Sequence, residues 1–150
     1  MKTKLIIGLA AAGLAGAALA QTGAADTIKA RQAGMKVVGA SFKGVMDQSR
    51  GTPDAAVVKK HAAALVAQSA KINGWFGPGT ATAPGVKTSA LPTVWSNSAG
   101  FRKAAVNYDT QAKKLLALAN AGDVAGIPAQ ARALGGTCKG CHDDFKAKGD

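Results

Sequence analysis

Ligand-forming side chains are scarce in this chain. It has two cysteines, too few for a disulfide framework, and two histidines, so a four-ligand zinc site would consume every Cys and His it has. Aromatic residues make up only 5%, and the basic residues are scattered along the chain, which together argue against a base-stacking nucleic-acid surface. Acids are few, eight against 19 Lys and Arg, for a formal charge of +11. Such an excess suits docking to acidic proteins or anionic surfaces, and equally plain solubility. No internal repeat and no alternating strand pattern is present, so helical periodicity is left to organise the chain. Long apolar runs are also missing, apart from Leu5 to Leu19. That run is short for a membrane span and no second one follows. With Lys2 and Lys4 before it and Ala18-Leu19-Ala20 at its end, it reads as a signal peptide over residues 1–20, cleaved before Gln21. The expected mature chain, 21–150, is then one domain of 150 less 20, or 130, residues, with a charge of +11 less two lysines, or +9. It is expected in the periplasm, with no membrane span after cleavage.

Both cysteines and one histidine fall in a single pentapeptide, Cys138-Lys139-Gly140-Cys141-His142. The spacing C-x-x-C-H is the signature of c-type haem attachment. Cysteines three apart on a helix share a face, so each can form a thioether with one vinyl group of the porphyrin. His142 can then reach the iron as proximal ligand. A thioredoxin-like dithiol needs a βαβ setting that is absent here, and a disulfide across two residues would close too small a loop to stabilise much. One covalently attached haem c per chain is the expected cofactor.

The periodicity predicts four amphipathic helices. The first runs from about Thr27 to Gln48, capped by Asp26 or Thr27, with Ile28, Met35 and Phe42 recurring every seven residues. Arg31 and Gln32 lie beside that stripe; Arg31 either pairs with a haem propionate or sits solvated at the core edge. Thr52-Pro53 opens the second helix, which continues to about Ile72 and carries His61, a partly buried or surface histidine more readily than a second iron ligand. Asn73 to Leu91, rich in Gly and Pro, is a long connection with Trp75 and Phe76 as anchors. The third helix spans roughly Ser96 to Ala121, with Phe101, Ala105, Tyr108, Ala112, Leu115 and Ala119 as its stripe. The fourth either starts at an Asp123 cap and is kinked by Pro128, or starts near Ile127 with Pro128 in its first turn, and it carries the haem motif. The fold class is therefore all-α, an antiparallel four-helix bundle with haem c in its core, attached to the C-terminal helix.

The mature chain resembles the class II cytochromes c: cytochrome c-prime and its low-spin relatives. The segments that carry the resemblance are Ile-Lys-Ala-Arg-Gln-Ala-Gly-Met (28–35), Trp-Phe-Gly-Pro-Gly-Thr (75–80), Leu-Pro-Thr-Val-Trp-Ser (91–96) and Gly-Gly-Thr-Cys-Lys-Gly-Cys-His-Asp-Asp-Phe (135–145). The C-terminal placement of the haem motif distinguishes this class. The resemblance implies a left-handed bundle, often a homodimer formed through the first two helices. Lys146 departs from it, standing where an arginine is common.

The resemblance also sets the functional question. In low-spin members a Met at the position of Met35 binds iron opposite the proximal histidine; in cytochrome c-prime the residue there covers a five-coordinate iron that takes up NO or CO. The soft thioether of Met35 favours ligation, which makes the first expectation a single-electron carrier between acidic periplasmic proteins, with Met35 and His142 as iron ligands. The alternative is a gas-binding protein for NO or CO. No enzyme activity is expected, because no distal acid–base histidine is apparent.

Overall fold

A computed structural model describes residues 11–148. Its elements are α1 (Ala11–Gln48), α2 (Ala55–Ser69), the single turns α3 (Ile72–Trp75) and α4 (Thr93–Ser96), α5 (Ser98–Ala121) and α6 (Ile127–Phe145). Lys2, Lys4 and the start of the apolar run lie outside the described residues. Within them, no helix is long and apolar enough to cross a membrane.

Helix boundaries differ from the sequence reading for local reasons. α1 begins at Ala11 rather than Thr27, because the alanine-rich stretch before Thr27 favours helix as strongly as the residues after it. Thr27 is consequently an interior residue, its hydroxyl donating to the Gly23 carbonyl at 2.8 Å instead of capping. Asp54, not Thr52, caps α2: its carboxylate accepts from the amides of Ala56 at 2.8 Å and Val57 at 3.2 Å. α2 stops at Ser69, and Ile72 belongs to the separate turn α3. The expected third helix is broken at Asn97, which separates α4 from α5 and caps the latter by accepting from the Gly100 amide at 3.1 Å. Gly122 ends α5 in the left-handed region, φ 69°, where a side chain would be strained. α6 begins at Ile127 with Pro128 in its first turn, the later of the two starts considered.

The four long helices pack in chain order: α1 along α2, α2 along α5, α5 along α6. Ile28, Val45, Val58, Leu65, Leu115, Ile127 and Leu134 are fully buried. The ring does not close. α1 and α6 touch at few points, one of them Phe42 of α1 against Gly135 of α6, where an added Cβ would lie 3.0 Å from Cζ. Elsewhere the α1–α6 seam stands open, and it is the side on which the haem motif lies.

The connection between α3 and α4 crosses the end of that seam. Its last residues pair with the end of α6: the Leu91 amide donates to the Phe145 carbonyl at 3.0 Å, and the Ala147 amide to the Ser89 carbonyl at 2.8 Å. The Thr93 hydroxyl adds a bond to the Asp144 carbonyl at 2.7 Å. At the other end, the six-membered ring of Trp75 packs against Gly34 of α1. A Cβ at Gly34 would meet the indole Cη2 at 2.0 Å, so only glycine admits the ring. Gly34→Ala should therefore destabilise the holoprotein by about 1–3 kcal/mol through overpacking. Gly136→Ala, at an exposed helical position with nothing within 4 Å, should stabilise it by about 0.5–1 kcal/mol. Guanidinium unfolding of the two variants checks both.

Candidate haem site

The open seam is a cleft of about 350 Å³, within the range of small-molecule and cofactor sites. α6 supplies one wall through Cys138, Cys141 and His142; α1 supplies the opposite wall through Arg31, Gln32, Met35 and Gly39. α5 forms the floor with Phe101, Ala104, Ala105 and Tyr108, and Phe76 and residues 88–90 close one end. Every residue assigned to the site from sequence thus borders one cleft: Cys138, Cys141, His142, Arg31, Gln32, Met35 and Phe76. His61 does not. Its imidazole packs on Gly44 at the α1–α2 contact, where an added Cβ would lie 2.4 Å from Nε2.

Burial pushes both cysteine thiols up from their ordinary value. A redox dithiol needs the opposite shift, so these are neutral thiols against an apolar wall. Burial lowers the proton affinity of His142, Lys146 lowers it further, and Asp143 opposes both. The imidazole is therefore neutral at pH 7, the form that can donate a lone pair to a metal. Among the described residues no group of three or more His, Cys, Asp or Glu could hold an ion. The donor set is instead two thiols and one imidazole from a single stretch of α6, bordering an apolar cleft. Those residues fit a covalently tethered haem and leave a bare metal ion unsupported.

Arg31 is not solvated. It is 3% exposed, and its guanidinium donates to the Thr80 carbonyl at 2.8 Å and the Thr88 hydroxyl at 2.6 Å. Its Cζ lies 4.7 Å from the centroid of Phe76 and 5.8 Å from that of Trp95. Phe76 packs in turn on Phe101 at 4.8 Å, and Phe101 meets Phe145 edge-on at 5.4 Å. These three rings border the cleft. Beside Arg31, the Gln32 amide donates to the Lys87 carbonyl at 2.6 Å. The connection is thus fixed to α1 by two adjacent side chains, one of them a buried cation with no carboxylate partner among the described residues.

Several lining residues escaped the sequence reading. Phe101, Ala105 and Tyr108 were legible as a buried stripe, but periodicity alone does not separate a core face from a cofactor face. Ala104 escaped because it lies just beside that stripe. Thr88, Ser89 and Ala90 lie in a loop without periodicity; their nearness to Pro92 was the one available signal. Tyr108 is held protonated by burial, and its hydroxyl lies 3.4 Å from the Leu65 carbonyl.

A bundle whose last helix carries two thiols and an imidazole at the edge of an apolar cleft defines a class of protein, the helical c-type cytochromes. Comparison with known proteins narrows this. A family model described as Cytochrome C' matches residues 26–146, and the chain belongs to that family. Cytochrome c' of Rubrivivax gelatinosus is 40% identical over 125 residues, covering 82% of this chain and 95% of the relative. The crystal structure of cytochrome c' from Thermochromatium tepidum superposes with a TM-score of 0.78 at 27% identity, covering 83% of this chain and 97% of that one. A nitric oxide complex of a variant of cytochrome c prime from Alcaligenes xylosoxidans superposes with a TM-score of 0.74 at 30% identity, covering 83% and 95%. The cofactor is accordingly a covalently attached c-type haem, and the fold is that family's four-helix bundle.

Two outcomes are expected at the site. Arg31→Gln should lower stability by about 3 kcal/mol, since two charge-assisted bonds are lost in a buried setting. Amide exchange at residues 80–90 should accelerate, and Arg31→Lys should not restore it, because lysine lacks the planar fork. Replacing Cys138 and Cys141 together with Ser should let acid–acetone extract the haem, which the wild type should retain.

Proposed function

We propose that this chain is a periplasmic, gas-binding haem protein in which His142 holds the iron on one side and Met35 covers the other side without ligating it. The reading inverts the first sequence expectation, in which Met35 ligates and the protein is an electron carrier. It is carried by one observation: the chain belongs to the Cytochrome C' family, and relatives of the same fold are named cytochrome c' and include a nitric oxide complex. Gly39 contributes no side chain to the α1 wall of the cleft, and Ala104 and Ala105 keep the floor small. Met35 is half-buried, packs against the core and lines the cleft.

Haem iron with a single protein ligand supplies an open coordination position for a diatomic gas. The chain's own residues set the terms of access. His142 is neutral and donates from α6. Phe76, Phe101, Phe145, Met35, Ala104 and Ala105 present an apolar surface that suits a small uncharged ligand. The reading is of a binding protein; His61, the one other histidine, packs at Gly44 and is not among the residues that line the cleft. Export rests on the N-terminal signal features.

CO titration of the ferrous protein tests the proposal. The wild type should take up CO without first losing a protein ligand. Met35→Ala should keep the parent's spin state and bind CO about tenfold faster, equivalent to about 1.4 kcal/mol of barrier. A change from low spin to high spin in Met35→Ala would make Met35 an iron ligand and restore the electron-carrier reading.

A further inference from the structure

The two faces of α5 meet different surroundings. Its inner face floors the cleft and packs on α2 and α6. Its outer face is open to solvent and takes no part in the haem site. There Arg102, Lys103, Lys113 and Lys114 are exposed, and Val106 is 59% exposed, more than any other large hydrophobic side chain among the described residues. At about 3.6 residues per turn, Val106 and Thr110 run down the middle of this face, with Arg102 and Lys113 to one side and Lys103 and Lys114 to the other. The Thr110 hydroxyl is spent within the helix, donating to the Val106 carbonyl at 2.9 Å. Asp109, the only acid of α5, is tied to the bundle: its carboxylate accepts from the Ser69 hydroxyl of α2 at 2.6 Å and pairs with Lys113. Arg102, Lys103 and Lys114 form no ion pair with the described residues. An exposed apolar residue thus stands on a face whose flanking charges are all positive.

We propose that the outer face of α5 is a docking surface for a bilayer rich in anionic phospholipid. A continuous helix of 24 residues, roughly 36 Å long, can meet a flat surface along its whole length. Cations on both sides of its midline extend their charged ends to lipid phosphates while their alkyl stems lie along the surface beside Val106. Each basic side chain held near an anionic leaflet is worth about a fivefold gain in partitioning, and the attraction fades within a Debye length. A protein partner fits less well, because the face carries no aromatic side chain, the usual anchor of a protein interface. Docking is peripheral: among the described residues no helix is long and apolar enough to cross a membrane. The opposite face of α5 floors the cleft, so a docked molecule keeps the mouth of the cleft in water, whichever ligand the haem takes.

The test uses the purified holoprotein and vesicles of phosphatidylglycerol mixed with phosphatidylcholine, with bound protein measured by sedimentation. Binding should fall roughly tenfold between about 0.01 M and about 0.1 M salt, as the Debye length shortens from about 30 Å to about 10 Å. Lys103→Glu combined with Lys114→Glu should weaken binding roughly tenfold or more at low salt. Lys29→Glu with Lys36→Glu, the same charge change on exposed positions of α1, diagonally across the bundle, should weaken it less than about threefold. Val106→Asp should weaken binding as well. The haem absorption spectrum should be unchanged in all these variants, which shows that they fold. Vesicles should shield Lys103 and Lys114 from acetylation and leave Lys29 and Lys36 reactive. Equal losses in the two double variants would mean that net charge alone acts, and would overturn the proposal. So would equal binding to vesicles of phosphatidylcholine alone, shielding confined to the α1 lysines, or no vesicle binding at low salt. Binding of an acidic protein such as flavodoxin through Lys103 and Lys114, without vesicle binding, would overturn it in favour of a protein partner.

Discussion

Arg31 places a full positive charge among aromatic rings at one end of the bundle. Removing such a group from water costs several kcal/mol unless its donors are satisfied. Here they are satisfied by the Thr80 carbonyl and the Thr88 hydroxyl, two points eight residues apart on the same crossover. The chain between them is therefore fixed to α1, and Phe76 is held under the guanidinium. The far end of the crossover is bonded to Phe145 and Ala147, just past the haem motif. One buried cation thus links the helix that carries Met35, the loop that closes the cleft and the end of the helix that carries His142.

The open seam follows from the same constraint. A bundle of small-residue helices would ordinarily close, because every apolar surface brought together gains free energy. α1 and α6 meet where Phe42 packs on Gly135, and at the other end the crossover and its aromatic chain stand between them. Alanines on α5 and Gly39 on α1 then leave volume where larger side chains would fill it. The cofactor is the missing core: two thiols and an imidazole hold a flat apolar group in the place of side chains.

Much of this was legible in the sequence, and the limits have physical causes. The haem motif, the bundle and the heptad stripes could be read because covalent chemistry and the 3.6-residue period both act over short ranges. The stripe Ile28, Met35, Phe42 was placed on the right face, but its division into core (Ile28) and cleft wall (Met35) depends on what packs opposite. Asn97 breaks the third helix through a side-chain cap, and a Ser-rich entry with a competing Pro92 masks that break. The role of Arg31 was undecided because a charged residue next to an apolar stripe is compatible with water, a propionate or a loop. Only the fold brings Thr80 and Thr88 to it.

Under the proposed function His142 is the iron's only protein ligand and Met35 is part of the wall. The electron paramagnetic resonance spectrum of the purified ferric protein tests this most directly. A high-spin signal, with no optical band from a methionine-to-iron charge transfer, is the result this account requires. A low-spin signal accompanied by that band would contradict it, placing the thioether of Met35 on the iron and closing the site to gas.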